Sequence, residues 1–466
     1  MNKPHYFLCG IGGSGMLPLA LILKERGAVV EGSDRALDQG RTAAKFEHLR
    51  AQGIALFAQD GSGVVSADQI VVASAAVEET VPDIVVARRL GAKLMTRAEL
   101  LAELFNAACI RIGVAGTSGK STTTAMIAWI LHSAGRDPTV MNGAVMKNFA
   151  SANTPFATAL VGRSDLFVSE LDESDGSIAL FHPTIAVLNN ISLDHKSMDD
   201  LRRLFDDFVA KAQTAILNLD NAEAAALVVR AANAATYALS TQSADFGAEG
   251  VDPRQFGIAF DAIDRRVGAR APVDLQMPGR HNVSNALAAI AAADAAGVPL
   301  ATSAAALGRF AGVGRRLDLI GSAGGVTVID DFAHNPDKIA ASLRTLHEFP
   351  GRLLVLFQPH GFGPLRKMKA EFIDAFAMHL ASADILTMPE PVYFGGSVER
   401  SVTSEDIISG IAARGRKARA FATRDACGEF LLGEAEAGDR IVVMGARDDS
   451  LSLFAADLLT RIAMRI

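Results

Sequence analysis

The segment that decides the fold is Ile110-Arg-Ile-Gly-Val-Ala-Gly-Thr-Ser-Gly-Lys-Ser-Thr-Thr-Thr124. Its first six residues form a short apolar run that is typical of a strand, and the glycines after it indicate a tight turn. Helix-forming residues follow, so the pattern predicts strand, loop and helix in that order. Backbone N–H groups in such a loop, together with the positive end of the helix, point at a single anion. The segment therefore predicts a phosphate-binding loop in an α/β domain.

The side chains of this loop favour a nucleoside triphosphate. Lys120 would reach the outer phosphates, and the hydroxyl of Ser121 would bind Mg²⁺. The usual pattern G-x-x-x-x-G-K-[ST] has glycine at position 114, where this chain has valine. The loop is therefore a variant of that pattern, and a glycine turn with an incidental lysine is the alternative.

An acidic segment follows the next predicted strand. Phe167-Val-Ser-Glu-Leu-Asp-Glu-Ser-Asp175 places four carboxylates within six residues. Such charges repel one another at the end of a buried strand unless a cation compensates them. Because Mg²⁺ prefers oxygen ligands, the segment predicts a magnesium site, with Glu170 as the ligand that directly follows the strand. A solvated acidic loop is the alternative.

A further apolar strand, 184–188, leads into Asn189-Asn-Ile-Ser-Leu-Asp-His195. Sites in α/β proteins lie at the carboxyl ends of parallel strands. We therefore expect His195 to face the phosphates, although a histidine in this position can also be structural.

The first glycine loop, Gly10-Ile-Gly-Gly-Ser-Gly15, follows a predicted strand and matches G-x-G-x-x-G. Glu31 and Asp34 follow about 20 residues later, where a dinucleotide-binding fold has its ribose-binding acid. Taken alone, this pattern indicates NAD or FAD. A helix N-terminus binds the pyrophosphate of any nucleotide equally well, so a UDP-linked substrate fits too. A tight turn without a ligand is the third interpretation.

The length of 466 residues predicts about three domains. Short β-branched runs alternate with helical stretches, which is typical of parallel sheets, and this pattern begins again twice along the chain. The predicted bounds are 1–106, 107–313 and 314–466, with the glycine-rich segment Gly308–Arg316 as a linker.

Composition argues against several classes of partner. The formal charge of −7, from 45 basic and 52 acidic residues, makes the chain a poor candidate for nucleic-acid binding. The three cysteines are far apart in sequence, which fits a reducing compartment. No long apolar run and no signal-peptide pattern is found, so we expect a cytoplasmic protein with no membrane partner, as a monomer or homodimer.

Taken together, these segments resemble the Mur ligases over essentially the whole chain. The first glycine loop, the following Gly32-Ser33-Asp34 and the turn at Ser74-Ala75 resemble the part of that family that binds UDP-muramate. The residues implied around the UDP-linked substrate are Gly10, Gly12, Gly13, Ser14, Gly15, Met16, Ser33, Asp34, Ser74 and Ala75.

The same resemblance implies an ATP site. Besides the loop, it rests on 278–289, on the Gly-Arg-Arg at 314–316 and on Asp-Phe-Ala-His-Asn-Pro at 331–336. The residues implied around ATP are Gly116, Thr117, Ser118, Gly119, Lys120, Ser121, Thr122, His281, Asn282, Asn285, Arg315, Asp331 and His334. The implied Mg²⁺ ligands are Ser121, Glu170 and His195, and the implied catalytic residues are Lys120, Glu170, His195 and His360.

The resemblance also implies the architecture and the reaction. The expected fold is a Rossmann-like N-terminal domain, a central P-loop-type ATP-binding domain with a mainly parallel sheet, and a Rossmann-like C-terminal domain that binds the amine. The expected activity is ATP-dependent amide formation, in which the carboxylate of UDP-N-acetylmuramate becomes an acyl phosphate and L-alanine attacks it, as in peptidoglycan precursor synthesis.

The chain departs from this family pattern near the expected amine site. The segment Gln358-Pro-His-Gly-Phe-Gly-Pro-Leu-Arg366 has Gly361 where the most similar members have arginine, and 444–450 also differs. His360 is the residue expected to position the amine, and Arg366 is a substitute anchor for its carboxylate. A recycled murein tripeptide as the amine and a different carboxylate acceptor remain alternatives, as does an NAD-dependent oxidoreductase on the first glycine loop alone.

Overall fold

The computed structural model describes residues 3–74, 77–193, 196–391, 401–446, 448 and 450–465. These residues form three sheets in chain order, each flanked by helices. The prediction of an α/β fold with mainly parallel sheets is confirmed. No helix within these ranges is both long enough and apolar enough to cross a bilayer.

The first sheet has five strands, all parallel. The strands and helices of this part are β1 His5–Cys9, α1 Met16–Glu25, β2 Val29–Ser33, α2 Arg35–Asp38, α3 Ala43–Ala51, β3 Ala55–Phe57, β4 Gln69–Ala73, α4 Pro82–Leu90, β5 Lys93–Thr96 and α5 Arg97–Asn106. The strand order is β3-β2-β1-β4-β5, which puts β1 and the glycine loop after it at the centre of the sheet.

The second sheet has ten strands. Its part of the chain forms β6 Ile110–Ala115, α6 Lys120–Ser133, β7 Thr139–Met141, β8 Ala159–Leu160, β9 Leu166–Glu170, β10 Ile185–Leu188, α7 Met198–Ala210, β11 Thr214–Asn218, α8 Ala222–Ala225, β12 Ala234–Ala238, β13 Phe246–Arg254, β14 Gly257–Asp264, β15 Ala269–Leu275, α9 Arg280–Ala295 and α10 Leu300–Leu307. The strand order is β15-β14-β13-β12-β11-β10-β6-β9-β7-β8. Strand β6 pairs in parallel with β10 and β9, so the three strand ends predicted to carry the site are neighbours.

The third sheet has six strands in the order β16-β17-β21-β18-β19-β20. Its elements are β16 Asp318–Ala323, β17 Val326–Asp331, α11 Pro336–His347, β18 Leu353–Gln358, α12 Phe362–Lys367, α13 Lys369–His379, β19 Ile385–Pro389, α14 Ser404–Ala412, β20 Lys417–Phe421, α15 Arg424–Glu434, β21 Arg440–Gly445 and α16 Ser450–Ala463. Only β16 is antiparallel to its neighbour.

By compactness the chain divides into two units. The first contains the first sheet and the second sheet apart from residues 253–258, and the second contains residues 314–466 with the short pieces 253–258 and 277–280. The predicted boundary at 106/107 lies inside the first unit. The bounds of the three domains therefore stay a prediction.

An aromatic cluster explains why the first two sheets form a single unit. Phe105, at the end of α5, packs edge to face against Phe167 of β9 and against Phe181, with ring centroids 5.8 and 5.5 Å apart. All three side chains are buried within a continuous apolar cluster that includes residues from both sheets. Because these rings exclude water from the junction, the two sheets share one core.

We expect Phe105→Ala to lower the free energy of unfolding of the first unit by about 3 kcal/mol, because the lost ring leaves a cavity between rigid neighbours. The chain has one tryptophan, Trp129, and it lies in this unit, so its fluorescence during urea unfolding reports the unit directly.

Val229→Ala is the control for this measurement, since Val229 is 86% exposed and its truncation should cost less than about 0.5 kcal/mol. Equal effects of the two substitutions would contradict a shared core at Phe105.

Candidate active site

The phosphate loop runs from the end of β6 to the first turn of α6, and two of its glycines are required by close packing. Gly116 has φ +131°, and a Cβ there would lie 3.0 Å from the carbonyl oxygen of Asn190. Gly119 has φ +81°, and a Cβ there would lie 2.5 Å from Oδ1 of Asn285. Any larger residue would push the loop away from these neighbours.

The end of β10 holds the loop through paired asparagines. Asn190 Oδ1 accepts from the hydroxyl of Thr117 at 2.7 Å and from the backbone N–H of Ser118 at 2.9 Å. Asn189 Nδ2 donates to the hydroxyl of Thr123 at 2.9 Å. These contacts fix the start of the loop and the first turn of α6 against the same strand end.

Two residues predicted around ATP, Asn282 and Asn285, are buried on α9 and continue this network. The hydroxyl of Thr123 donates to Asn285 Oδ1 at 3.3 Å, and Asn285 Nδ2 donates to Asn282 Oδ1 at 3.2 Å. His281 is exposed next to them, and Thr122 is buried. The nucleotide contacts of these residues stay predictions.

Lys120 is paired with a carboxylate that the sequence did not single out. Its Nζ donates to the Gly116 carbonyl at 2.7 Å and lies 2.9 and 3.2 Å from the two carboxylate oxygens of Glu173. Burial opposes the charge on Lys120, but the carboxylates of Glu173 and Glu170 outweigh this and raise the pKa of Lys120. The ammonium group is therefore charged at neutral pH.

Glu170 ends β9 beside the loop and has the chemistry of a magnesium ligand. Its Oε2 accepts from the backbone N–H of Gly143 at 2.9 Å, and a Cβ at Gly143 would lie 2.7 Å from that oxygen. The Ser121 hydroxyl lies in the first turn of α6. Within the described ranges, no group of three His, Cys, Asp or Glu side chains is placed to hold a metal ion. His195 lies outside the described residues.

The first glycine loop is fixed by side chains that were predicted to meet the substrate. Asp34 accepts from the N–H groups of Gly12 and Ala36, both at 2.8 Å, so each of its oxygens already has a backbone donor. Ser33 is fully buried, and its hydroxyl donates to Asp83 at 2.6 Å. The substrate contacts predicted for both residues stay predictions.

The other predicted residues of this loop differ in exposure. Met16 is buried at the start of α1, whereas Gly13 and Ser14 are exposed and Gly10 and Gly15 are half-buried. Ser74 is half-buried, and its carbonyl accepts from Val77 N at 3.0 Å. Ala75 lies outside the described residues.

Three residues that were not predicted as site residues contact this loop or the end of the adjacent strand β2. Asp83 accepts a hydrogen bond from the Ser33 hydroxyl, and burial raises the pKa of the Asp83 carboxyl group. Lys45 Nζ donates to the Gly12 carbonyl at 3.0 Å. Arg97 packs so closely on Gly15 that a Cβ there would lie 2.8 Å from its side chain. Asp83 lies 50 residues from Ser33 and Lys45 lies 33 residues from Gly12, so local spacing gave no signal for these contacts.

In the second unit, the guanidinium group of Arg315 is bound by a carboxylate and by two backbone carbonyls of the protein. Its Nε lies 3.4 Å from the fully buried Asp330, and its Nη2 and Nη1 donate to the carbonyls of Gly445 and Asp448 at 2.8 and 3.2 Å. Its φ of +60° is also unusual for a residue with a side chain. Arg315 therefore joins the linker to the end of β21, and its predicted contact with ATP stays a prediction. The adjacent Arg316 lies over the ring of Phe332, 4.4 Å from its centre.

Asp331 ends β17, and His334 lies in the loop that follows this strand. Asp331 is buried and accepts from the Ser342 hydroxyl and from Leu317 N, and burial raises the pKa of its carboxyl group. Burial lowers the pKa of His334 to about 3, so its ring is neutral and donates from Nδ1 to the Phe332 carbonyl at 2.8 Å.

The predicted amine residues follow β18. The ring of His360 is buried and lies edge to face with that of His334, 5.2 Å between centres, whereas Arg366 is exposed on α12. Gly361 has φ +137° and ψ +163°, a conformation that is essentially restricted to glycine. The departure from arginine at this position is therefore a change of backbone shape as well as of charge.

Asp448 organises the same strand ends and was not predicted as a site residue. Its Oδ2 accepts from Gln358 Nε2 at 2.7 Å and from Arg424 Nη1 at 3.1 Å. Since Gln358 ends β18 and Asp448 follows β21, this carboxylate ties two neighbouring strand ends together.

The chain matches three family models in succession. These are "Mur ligase family, catalytic domain" over residues 5–108, "Mur ligase middle domain" over 114–293 and "Mur ligase, glutamate ligase domain" over 315–447. Among curated relatives, UDP-N-acetylmuramate--L-alanine ligase of Novosphingobium aromaticivorans is 36% identical, over 97% of this chain and 96% of the relative. The enzyme of the same name from Streptomyces coelicolor is 36% identical, over 96% and 95%.

Two solved structures extend the comparison to the fold. UDP-N-acetylmuramate-alanine ligase of Thermotoga maritima has a TM-score of 0.80 at 24% identity, with 99% of each chain covered. A murein peptide ligase from Psychrobacter arcticus has a TM-score of 0.73 at 25% identity, again over 99% of each chain. The three-domain α/β arrangement expected from the sequence is thereby confirmed.

We expect Arg315→Met to destabilise the third sheet by about 3 kcal/mol, because it leaves Asp330 as a buried carboxylate without its cation. Amide hydrogen exchange in β17 and β21 should then become about 100-fold faster, since 1.4 kcal/mol corresponds to a factor of ten. Arg316→Met is the matched control and should change exchange less than tenfold, since Arg316 contacts the Phe332 ring and donates to the Arg315 carbonyl, whereas the cation paired with Asp330 is Arg315. Similar rates in the two variants would refute a structural role that is specific to Arg315.

Proposed function

Because the chain belongs to the Mur ligase family and is an ATP-dependent ligase, we propose that it joins the carboxylate of UDP-N-acetylmuramate to L-alanine in the synthesis of peptidoglycan precursors. The observation that carries the proposal is the convergence of the phosphate loop, Lys120 and Glu170 at adjacent strand ends. The full-length relatives of that name support the choice of acceptor and amine.

The proposed reaction has two steps. The acceptor carboxylate first attacks the γ-phosphoryl group of ATP, which gives an acyl phosphate and ADP. The uncharged amine of L-alanine then attacks the acyl carbon, and the tetrahedral intermediate expels phosphate as the amide forms. The attacking nitrogen loses one proton, which leaves with the released phosphate or passes to water, so the step balances without a redox partner and needs positioning and electrostatic stabilisation.

The residues of the phosphate loop supply the stabilisation for the first step. The charged side chain of Lys120 is bonded to the Gly116 carbonyl of the loop and to Glu173. We expect its ammonium group to move from Glu173 to the outer phosphates when ATP binds. The asparagines at 189 and 190 keep the loop fixed while charge moves to the leaving ADP.

We include Mg²⁺ in the proposal as the partner of ATP. Glu170 and Ser121 fit it as oxygen donors beside the loop, and His195 is the third predicted ligand. When bound, the ion would neutralise charge on the phosphoryl group being transferred.

For the second step, we assign His360 to positioning the incoming amine. Its neighbour His334 is neutral and presents an unprotonated Nε2, because Nδ1 carries the proton. The murein tripeptide is the second candidate amine, and Gly361 is the observation that favours it, since the arginine of the most similar alanine-joining members is absent.

The experiment that tests this function measures phosphate release from ATP and Mg²⁺ with UDP-N-acetylmuramate and a panel of amines. We expect turnover with L-alanine, and turnover only with the murein tripeptide would replace L-alanine by the peptide. ATP binding without any amine-dependent turnover would contradict UDP-N-acetylmuramate as the acceptor.

Lys120→Met should lower kcat by about 1,000-fold, because the charge on the phosphoryl group would lose its main protein partner.

A second prediction concerns the backbone at Gly361. Gly361→Ala should destabilise the third sheet by about 1–3 kcal/mol, because φ +137° with ψ +163° strains any residue that has a Cβ. Gly363→Ala is the matched control, since Gly363 lies within α12 and alanine should be tolerated or favoured there. Hydrogen exchange of α12 and β18 measures both, and equal effects would refute a requirement for glycine at 361.

A further inference from the structure

The Lys120 ammonium group has used all of its hydrogen-bonding capacity within the protein. An ammonium group has three N–H donors. They meet three acceptors, the Gly116 carbonyl at 2.7 Å and the two carboxylate oxygens of Glu173 at 2.9 and 3.2 Å. A phosphate oxygen can therefore bind Lys120 only by replacing one of these partners.

Glu173 is the partner that a phosphate would replace. The Gly116 carbonyl belongs to the loop itself and moves with it, whereas Glu173 belongs to the segment after β9. A carboxylate that places two oxygens on one ammonium group also resembles a phosphate, since both carry negative charge and offer several acceptor oxygens. The Glu173 side chain is only 5% exposed and that of Lys120 only 15% exposed. Water therefore has little access to either charged group and cannot readily replace its partner.

From this geometry we infer that Glu173 is a positioning residue that competes with the outer phosphates of ATP for Lys120 and thereby limits nucleotide affinity. The pair holds the lysine side chain in an ordered place before ATP arrives. When ATP takes the ammonium group, Glu173 is left as a buried carboxylate without that partner, which reduces the net gain from binding. After phosphate and ADP leave, Glu173 regains Lys120.

The competition for Lys120 depends on which phosphates a nucleotide carries. Only nucleotides with outer phosphates need Lys120, so the competition should act on ATP and not on AMP. Removing the charge of Glu173 while keeping its shape should therefore tighten ATP binding selectively.

The test is isothermal titration of Glu173→Gln and the unaltered protein with ATP, and competition with AMP, both with and without Mg²⁺. We expect ATP to bind about tenfold more tightly to the variant and AMP affinity to change less than twofold. In turnover, the KM for ATP should fall in the same ratio while the KM for the acceptor is unchanged.

Asp175→Asn is the matched control, since it removes one negative charge from the same segment at an exposed residue whose carboxylate caps Ser177. It should change ATP affinity less than twofold. Glu173→Asp is the second variant, because its shorter side chain keeps the charge but not the reach, and it should also bind ATP more tightly.

Weaker or unchanged ATP binding in Glu173→Gln would overturn the inference, as would an equal gain for AMP or an equal gain in Asp175→Asn. The titration needs neither the acceptor nor the amine, so its outcome is independent of which substrates the enzyme joins.

Discussion

The site depends on how closely the phosphate loop approaches the end of the neighbouring strand β10. Gly116 and Gly119 leave no room for a Cβ against the asparagines at 189, 190 and 285, and the same asparagines bind the loop through their amides. Parallel pairing of β6 with β10 and β9 brings the three segments to one edge of the sheet. Without that close contact, the loop amides, Lys120 and Glu170 would not face a common space.

Much of this could be predicted from the sequence, because the information is local. The strand before Gly116 is found at Ile110–Ala115 as expected, and the acidic segment does follow the end of β9. The α/β class follows from the alternation of strand and helix patterns. The family resemblance rests on motifs of similar length, so it too could be identified without the structure.

The partners of the charged residues could not be predicted, because they depend on long-range contacts. Glu173 lies 53 residues from Lys120, and Gly445 lies 130 residues from Arg315. Asp330 and Asp331 are adjacent in sequence, yet they point to opposite faces of β17 and have different partners, Arg315 with Ser452 for one and Ser342 for the other. Motif spacing indicates which residues are near a site, but not which charge each of them neutralises.

The aromatic junction at Phe105 bears on how this chain can be recombined. A sequence boundary near residue 107 invites the exchange of the first hundred residues between relatives, as though they were an independent module. The edge-to-face contacts of Phe105 with Phe167 and Phe181 run across that boundary, so a chimera would have to carry all three rings or replace them together. The part of the chain that can be inherited or engineered as one piece is therefore the first unit as a whole.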